Sequence, residues 1–293
     1  MIEKFKGDYV KDINFISACS DLGVNINGTE KGPLILAPNF NVKNYILEKE
    51  NIKKSLNPND LRKNEIYINN FTEIIFNTAT KILNNNKTPL LIGGDHSCSI
   101  GSALASQKYY KNIGIIWIDA HGDYNTFETT ESGNIHGLPL AAITGYKCEE
   151  LTNFITNNFI NPKNCVIVGA RSIDSNEIGN IKDAGVTIYT TEDIKNEGAD
   201  AIMKKAIEIA SNNTNGIHIS LDLDVMDPSI APGVSIPEDN GINDNEMYLL
   251  IDEILKNKEL ITSIDLVELN PTLDIDNKTK NIAINILNKI IEN

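Results

Sequence analysis

Short apolar segments rich in isoleucine and valine recur along the chain, and stretches with helical spacing separate several of them. Their length suits strands, and their unbroken apolar character is typical of strands buried on both faces. Strands that alternate with helices predict a parallel sheet covered by helices. The segments are INFISAC (13–19), TPLLIGG (88–94), IGIIWIDA (113–120), CVIVGA (165–170), VTIYT (186–190), GIHISLDLDV (216–225) and TSIDLVEL (262–269).

The clearest helical pattern lies in NDNEMYLLIDEILKN (243–257). Met247, Leu250 and Ile251 fall on one face of a helix there, and Asn243 or Asp244 is expected to cap its start. Residues 39–64 are rich in asparagine and lysine and are predicted to form a surface excursion. We see no linker, repeat or composition break, so one domain is expected across residues 1–293.

Charge and composition narrow the possible functions. The chain has 26 basic and 40 acidic side chains, a formal net charge of −14, which repels nucleic acids and anionic membranes. No window approaches the length of an apolar membrane span, and the start, MIEKFKGDYVKD, lacks the apolar region of a signal peptide. The four cysteines form no C-x-x-C pair. We therefore expect a cytoplasmic protein with no nucleic-acid or membrane partner.

Histidines and aspartates gather where several predicted strands end. Ligand sites in parallel sheets form beyond the carboxyl ends of the strands, so these side chains are expected to lie together. Several unpaired carboxylates in a sheet interior would repel one another unless a cation lay among them. Oxygen-rich ligation with imidazole suits Mn²⁺, and six ligands exceed what one tetrahedral zinc needs. The expected ligands of a two-metal site are His96, Asp119, His121, Asp123, Asp222 and Asp224.

A two-metal site favours hydrolysis. Two divalent ions that share a water lower its pKa and hold the resulting hydroxide for attack on an electrophilic carbon. The sequence thus predicts a hydrolase whose partner is a small molecule.

The chain resembles the ureohydrolase family, the manganese enzymes that include arginase and agmatinase. The resemblance spans nearly the whole chain and implies a three-layer αβα fold with a central, mostly parallel sheet, as in arginases and deacetylases. It also implies two Mn²⁺ ions per chain and a homo-oligomer, either a trimer or a hexamer. The blocks that carry it are GTEKGPLIL (28–36), GGDHS (93–97), DAHGDYN (119–125), SGNIHG (132–137), SLDLDVMDPSIAPG (220–233) and VELNP (267–271).

The resemblance also implies roles for individual residues. His96, Asp119, Asp123 and Asp222 would surround one manganese or bridge the pair, and His121 and Asp224 would hold the other. His136 matches the proton-shuttling histidine, and Glu268 matches the glutamate that grips the guanidinium group of the substrate. The catalytic set is therefore expected to be His136, Asp123 and Glu268.

The positions around the metal ligands favour L-arginine as the substrate, cleaved to L-ornithine and urea by a metal-bridging hydroxide. Asn125, Ser132 and Asn134 match family positions that bind the α-carboxylate of arginine. Asp174 and Glu177 match the acidic residues that bind its α-ammonium group. Glu268 completes the substrate-binding set at the guanidinium end.

Three residues depart from the arginase pattern. Gly122 replaces a common threonine and is expected to loosen its loop, Ser172 replaces an acidic residue, and Ile236 replaces a threonine that supports the guanidinium-binding glutamate. Agmatinase or another amidinohydrolase such as formimidoylglutamase therefore stays open as an alternative. More distant alternatives are a single-metal deacetylase and a non-catalytic binding protein on the same fold.

Overall fold

The central element of the computed structural model is a sheet of eight parallel strands in the order β2-β1-β3-β8-β7-β4-β5-β6. The structure describes residues 13–49, 53–57 and 59–292, so the chain start discussed above lies outside the described residues. The strands are β1 (Ile13–Cys19), β2 (Asn44–Glu48), β3 (Thr88–Gly93), β4 (Gly114–Ile118), β5 (Cys165–Ala170), β6 (Thr187–Thr190), β7 (Ile217–Asp222) and β8 (Ile261–Val267).

Helices cover both faces of this sheet, which confirms the predicted three-layer α/β fold. Helices α2 (Glu65–Asn84), α3 (Ser99–Tyr110), α4 (Pro139–Ile143) and α5 (Ser175–Ala184) pack on one face. On the other face lie α1 (Gly32–Leu36), α6 (Thr191–Glu197), α7 (Ala199–Ala210), α8 (Asp244–Lys256) and α9 (Lys278–Glu292).

Alternate strand residues enter the two cores, as a doubly covered sheet requires. Ile116 and Ile118 of β4 pack in one core, whereas Ile115 and Trp117 pack in the other.

The predicted strands all form, with small differences at their ends. The largest difference is in β7, which stops at Asp222 rather than continuing to Val225. The side chain of Asp222 accepts a hydrogen bond from the backbone N of Asp224, which turns the chain into a 3-10 helix. This turn directs Asp222 and Asp224 to the same end of the sheet.

The prediction for residues 39–64 was wrong in one respect, because Asn44–Glu48 forms the edge strand β2. The strand is short and Ile46 is more than half exposed, so it lacks the apolar run by which the interior strands were recognised. Helix α8 forms as predicted, and Asn243 and Glu246 make a reciprocal capping box at its start.

A buried polar layer separates α3 from the middle of the sheet. His218 lies 2.6 Å from the hydroxyl of Ser263 through Nδ1 and 3.0 Å from a carboxylate oxygen of Asp265 through Nε2. Ser102 donates to that carboxylate at 2.6 Å, and the hydroxyls of Ser106 and Ser263 are 2.5 Å apart. His218 is therefore a buried core histidine with polar partners.

The sheet order explains where a site can form. Strands β3, β8, β7 and β4 are neighbours at the centre of the sheet, and the sequence continues from their carboxyl ends into His96, Glu268, Asp222 and Asp119. Because all strands are parallel, these side chains converge at one edge.

Candidate metal centre and active site

His96 is the centre of the first ligand group. Its Nδ1 atom lies 3.0 Å from Asp119 Oδ2, 3.1 Å from Asp123 Oδ2 and 3.0 Å from Asp222 Oδ2. The imidazole is fully buried and stacks on Trp117, with ring centroids 4.0 Å apart. On the opposite edge of the ring, Nε2 lies 2.9 Å from the hydroxyl of Ser220. This contact fixes Nδ1 toward the carboxylates, as is typical of a metal-ligating histidine.

His121 forms a second group beside the first. Its Nδ1 atom lies 3.0 Å from Asp224 Oδ2 and 3.4 Å from Asp119 Oδ1. Asp119 therefore belongs to both groups, with one carboxylate oxygen facing each histidine. In each of the sets His96/Asp119/Asp123 and Asp119/His121/Asp224, the potential ligand atoms lie within 4.8 Å of one another.

The donor set fits divalent cations. Within the described residues, His96 Nδ1 and Asp123 Oδ2 are buried and make no hydrogen bond of acceptable geometry, although they face each other. Burial, together with the charges of Asp224 and Asp119, raises the pKa of Asp222 well above its usual range. A bound cation would stabilise these buried nitrogen and carboxylate oxygen atoms.

Two of the expected catalytic residues have backbone conformations that L residues rarely adopt. Asp123 has φ of 49° and Glu268 has φ of 67°. The carbonyl oxygen of Asp123 accepts from the backbone N of Leu140 at 3.0 Å, and Glu268 N donates to Gly94 O at 2.8 Å. Surrounding contacts thus hold both residues in conformations that cost about 1 kcal/mol or more, which is common at functional sites.

The side chains of His136 and Glu268 form a pair that the sequence did not predict. His136 Nδ1 lies 3.0 Å from Glu268 Oε1, and the same oxygen accepts from the backbone N of His96 at 3.0 Å. The other oxygen, Oε2, is buried and has no hydrogen-bond partner among the described residues. Burial lowers the pKa of His136, but the hydrogen bond and charge of Glu268 outweigh it, so the pKa is raised overall.

A cavity of about 330 Å³ opens beside these side chains. Seven of the eight predicted catalytic and substrate-binding residues line it; the exception is Glu268. These seven are Asp123, Asn125, Ser132, Asn134, His136, Asp174 and Glu177, and the candidate metal ligand His121 lines it as well. The lining also includes Ser172, Ile236 and Glu238.

Comparison with known proteins accounts for this arrangement. The model of the "Arginase family" matches residues 11–292. The chain is 37% identical to the arginase of Bacillus subtilis (strain 168) over 295 residues, which covers 96% of this chain and 98% of that protein. The chain belongs to the arginase family. It is therefore a hydrolase that acts on the C–N bonds of amidines.

Solved structures of arginases are similar in fold. The arginase of Bacillus caldovelox has a TM-score of 0.87 at 32% identity, with 97% of this chain and 99% of that chain covered. The Entamoeba histolytica arginase in complex with L-ornithine has a TM-score of 0.87 at 28% identity, with 96% and 98% covered. The expected family and fold are thus confirmed.

Gly122, one of the departures from the arginase pattern, has a steric reason. A Cβ atom at this position would lie 2.8 Å from the carboxyl group of Glu177 and 3.0 Å from Ile181. Glu177 is held there by the backbone N atoms of Tyr124 at 2.7 Å and Asp174 at 3.2 Å. The glycine therefore lets α5 pack closely on the loop that carries His121 and Asp123. These contacts indicate a tightly packed loop, not the loosened one that the sequence predicted.

The same contacts change the interpretation of Glu177. Its two carboxyl oxygens accept from Tyr124 N and Asp174 N, so Glu177 caps α5 as well as lining the cavity. Burial raises its pKa to about 8. Asp174 accepts from the side-chain amide of Asn125 at 3.0 Å, so this pair forms one wall of the cavity.

The other two departures lie near Glu238. Ile236 lines the cavity, and Glu268 is oriented by His96 N and His136 rather than by a neighbouring hydroxyl. Ser172 and Glu238 line the same cavity.

Arg171 joins the turn after β7, which carries Asp224, to the loop that carries Glu238. Its guanidinium group donates to the carbonyl oxygens of Asp224 at 2.8 Å, Val225 at 2.9 Å, Glu238 at 2.8 Å and Asp239 at 3.0 Å. Arg171 therefore supports the backbone on both sides of the site.

Lys63 supports the cavity wall in a way that its sequence position does not predict. This buried lysine donates from Nζ to the carbonyl oxygen of Ser132 at 2.6 Å. Gly133, which follows Ser132, has φ of 66° and packs against the backbone of Leu61. A lysine in a region read as a surface excursion gives no periodic signal, so its burial follows only from the folded chain.

Two expectations about the chain as a whole have structural counterparts. Among the described residues, no helix is both long and apolar enough to cross a membrane. Cys19, Cys98, Cys148 and Cys165 are buried free thiols, and burial raises the pKa of Cys19 and Cys148 to about 12.

Proposed function

We propose that the protein is a binuclear manganese arginase that hydrolyses L-arginine to L-ornithine and urea. The observation that carries the proposal is the pair of adjoining ligand groups that share Asp119, beside a cavity reached by His136. Membership of the arginase family supports the reaction type.

Two Mn²⁺ ions would be held by six residues. Carboxylate and imidazole ligands together favour this metal over softer ones. When bound, the ions would lower the pKa of a water and so supply the nucleophile. One ion would be held by His96, Asp119, Asp123 and Asp222, and the other by His121, Asp224 and Asp119, which belongs to both groups.

Glu268 would bind and orient the guanidinium group. Its Oε2 atom is buried without a partner among the described residues, whereas Oε1 is fixed by His96 N and His136. A planar guanidinium donor offers the charge-assisted hydrogen bond that this oxygen lacks. Fixing the guanidinium group sets the direction of attack on its carbon.

His136 would protonate the leaving amine. An amine is a poor leaving group until it is protonated, so a positioned acid is needed. Glu268 lies 3.0 Å from Nδ1 of His136, and its charge favours the protonated imidazole. The histidine lines the cavity and is therefore close to a bound substrate.

The far end of the cavity favours an amino acid over a simple amine. Asn125, Ser132 and Asn134 offer neutral hydrogen-bonding groups suited to an α-carboxylate, and Asp174 offers a carboxylate suited to an α-ammonium group. A similar protein, the Entamoeba histolytica arginase, has been solved in complex with L-ornithine, which supports the same class of product here.

The decisive experiment measures urea release from L-arginine and, separately, from agmatine by Mn²⁺-loaded protein. We expect turnover of L-arginine, little turnover of agmatine, and a fall of about 100-fold or more in kcat for His136→Asn, the size typical of a lost general acid. Turnover of agmatine but not L-arginine would make the protein an agmatinase. Absence of urea from both substrates would contradict the proposal.

The fold and composition support three accompanying proposals. We propose a single catalytic domain over residues 1–293, a cytoplasmic location and a homo-oligomer, trimeric or hexameric. The four unpaired cysteines suit a reducing compartment. Sedimentation velocity of the purified protein measures the oligomeric state.

A further inference from the structure

Glu238 lies between the proposed active site and a second cavity. It follows Ile236 and Pro237 on the loop that connects β7 to α8. It lines the 330 Å³ cavity of the active site and also a neighbouring cavity of about 590 Å³, to which Arg171 and Lys195 belong. Its side chain is 34% exposed, so the carboxylate is partly open to the cavities.

Contacts with two other residues position Glu238. Its Oε1 atom lies 3.7 Å from His121 Nε2, and its side chain lines the same cavity as Ser172. Its backbone carbonyl oxygen accepts from the guanidinium group of Arg171 at 2.8 Å. The carboxylate is therefore held at the cavity wall rather than left free in solvent.

The lining of the active-site cavity is acidic, and Glu238 contributes to it. None of the described residues that line the cavity is a lysine or an arginine, whereas five are acidic. A cavity with this lining attracts cationic compounds and disfavours anionic ones. The acidic residues are Asp123, Glu131, Asp174, Glu177 and Glu238.

Three of these five carboxylates are poorly placed to bind the tail of a substrate. Asp123 belongs to a ligand group, and both oxygens of Glu177 accept from backbone amides. Glu131 is exposed and, among the described residues, makes no side-chain hydrogen bond that would hold it at the cavity wall, whereas the likewise exposed Asp174 accepts one from Asn125. Asp174 and Glu238 remain. Asp174 already accepts a hydrogen bond from Asn125, and Glu238 adds a second carboxylate from a separate loop.

We propose that Glu238 is a specificity-determining residue that binds the positively charged tail of the guanidino substrate. Its carboxylate, together with that of Asp174, selects guanidino compounds that carry an amino group at the end remote from the guanidinium. Guanidino acids without such a group are disfavoured. This inference rests on the proposed function and names a determinant of its substrate class.

The test compares wild-type protein, Glu238→Gln and the matched control Asp239→Asn, all loaded with Mn²⁺. Asp239 neighbours Glu238 and lines only the second of the two cavities, so its variant makes the same change of charge outside the active site. The measured quantity is kcat/KM for L-arginine, agmatine and 4-guanidinobutanoate. The last compound has a carboxylate and no amine.

We expect Glu238→Gln to lower kcat/KM for L-arginine or agmatine, whichever of these amines the wild type uses. Relative to kcat/KM for 4-guanidinobutanoate, the fall should be about tenfold, the effect of one charge-assisted hydrogen bond. Asp239→Asn should leave this ratio unchanged. A uniform fall for all substrates would show that Glu238 acts only through His121, and an unchanged ratio would show that it does not contact the tail. Either result overturns the inference.

A binding measurement separates this inference from the proposed reaction. Calorimetric titration with L-ornithine and with agmatine gives dissociation constants that need no turnover. Weaker binding to Glu238→Gln, by about tenfold, and not to Asp239→Asn, supports tail recognition even if the wild type releases no urea. Equal affinities of wild type and Glu238→Gln for both amines would overturn it.

Discussion

At the scale of single residues, a missing side chain matters as much as the charged ones. Gly122 lies between the candidate ligands His121 and Asp123, and it leaves room for the carboxyl group of Glu177. Glu177 in turn accepts from Tyr124 N, directly after Asp123. Gly122 thus allows Glu177 of α5 to contact and support the loop that carries His121 and Asp123.

We predict that Gly122→Ala lowers the free energy of unfolding by about 1–3 kcal/mol, because the new methyl group overlaps a carboxyl that is held by two backbone amides. Denaturant unfolding of the Mn²⁺-loaded protein measures the change.

The matched control is Gly179→Ala in α5. A Cβ atom there would meet no other group within 4 Å, so this variant should be neutral or more stable by up to about 1 kcal/mol. Equal stability of Gly122→Ala and wild type would mean that Glu177 moves without cost, and the steric argument would fail.

At the scale of elements, one loop is braced by a distant part of the chain. The turn that carries Ser132 and Asn134 packs against residues 60–63, which precede α2. Lys63 donates to Ser132 O, and Gly133 adopts a left-handed conformation against Leu61. Since these contacts touch the cavity wall that carries Ser132 and Asn134, we expect them to affect substrate binding more than the reaction itself.

We predict that Lys63→Met raises KM for L-arginine about two- to tenfold, the net effect of one lost hydrogen bond on a binding loop, and changes kcat less than about twofold. Steady-state kinetics with Mn²⁺-loaded protein measures both constants. The control, Lys53→Met, removes an exposed lysine from the same region and should change neither. A fall in kcat at constant KM would show that the brace acts on the catalytic residues instead.

At the scale of the whole molecule, the parallel sheet concentrates negative charge at one edge. The neighbouring strands β4 and β7 bring Asp119, Asp123, Asp222 and Asp224 together, although they are separated by up to about a hundred positions along the chain. Packing on both faces of the sheet must hold this repulsive group in place. Bound cations would relieve the repulsion and so stabilise the fold.

We predict that removing metal with a chelator lowers Tm and that Mn²⁺ restores it, because an ion that binds only the folded chain adds about 2.7 kcal/mol at 100 times its Kd. Differential scanning fluorimetry over a Mn²⁺ series measures the shift.

Two variants show whether the shift comes from the ligand groups. His96→Ala should reduce the Mn²⁺-dependent rise in Tm, because His96 Nδ1 faces three carboxylates. Glu131→Gln should leave the rise intact, since Glu131 lines the cavity and belongs to neither ligand group. A Tm that does not respond to Mn²⁺ in the wild type would contradict the metal site.

Much of the fold, and the convergence of the candidate ligands, is predictable from the sequence alone. The interior strands are recognisable because burial on both faces requires unbroken apolar runs, and the parallel arrangement follows from their alternation with helices. The convergence of His96, Asp119 and Asp222 is predictable since each follows a strand of one parallel sheet. The edge strand β2 was missed because a half-exposed strand needs no such apolar run.

The tertiary structure alone decided how side chains from distant segments meet. The pairing of His136 with Glu268, the capping of α5 by Glu177 and the burial of Lys63 depend on loops whose packing has no sequence period. Glu238 reaches the cavity for the same reason, on a loop whose backbone is held by Arg171. Local patterns record which face of an element is buried, whereas the distance between two loops is set by the packing of the whole chain.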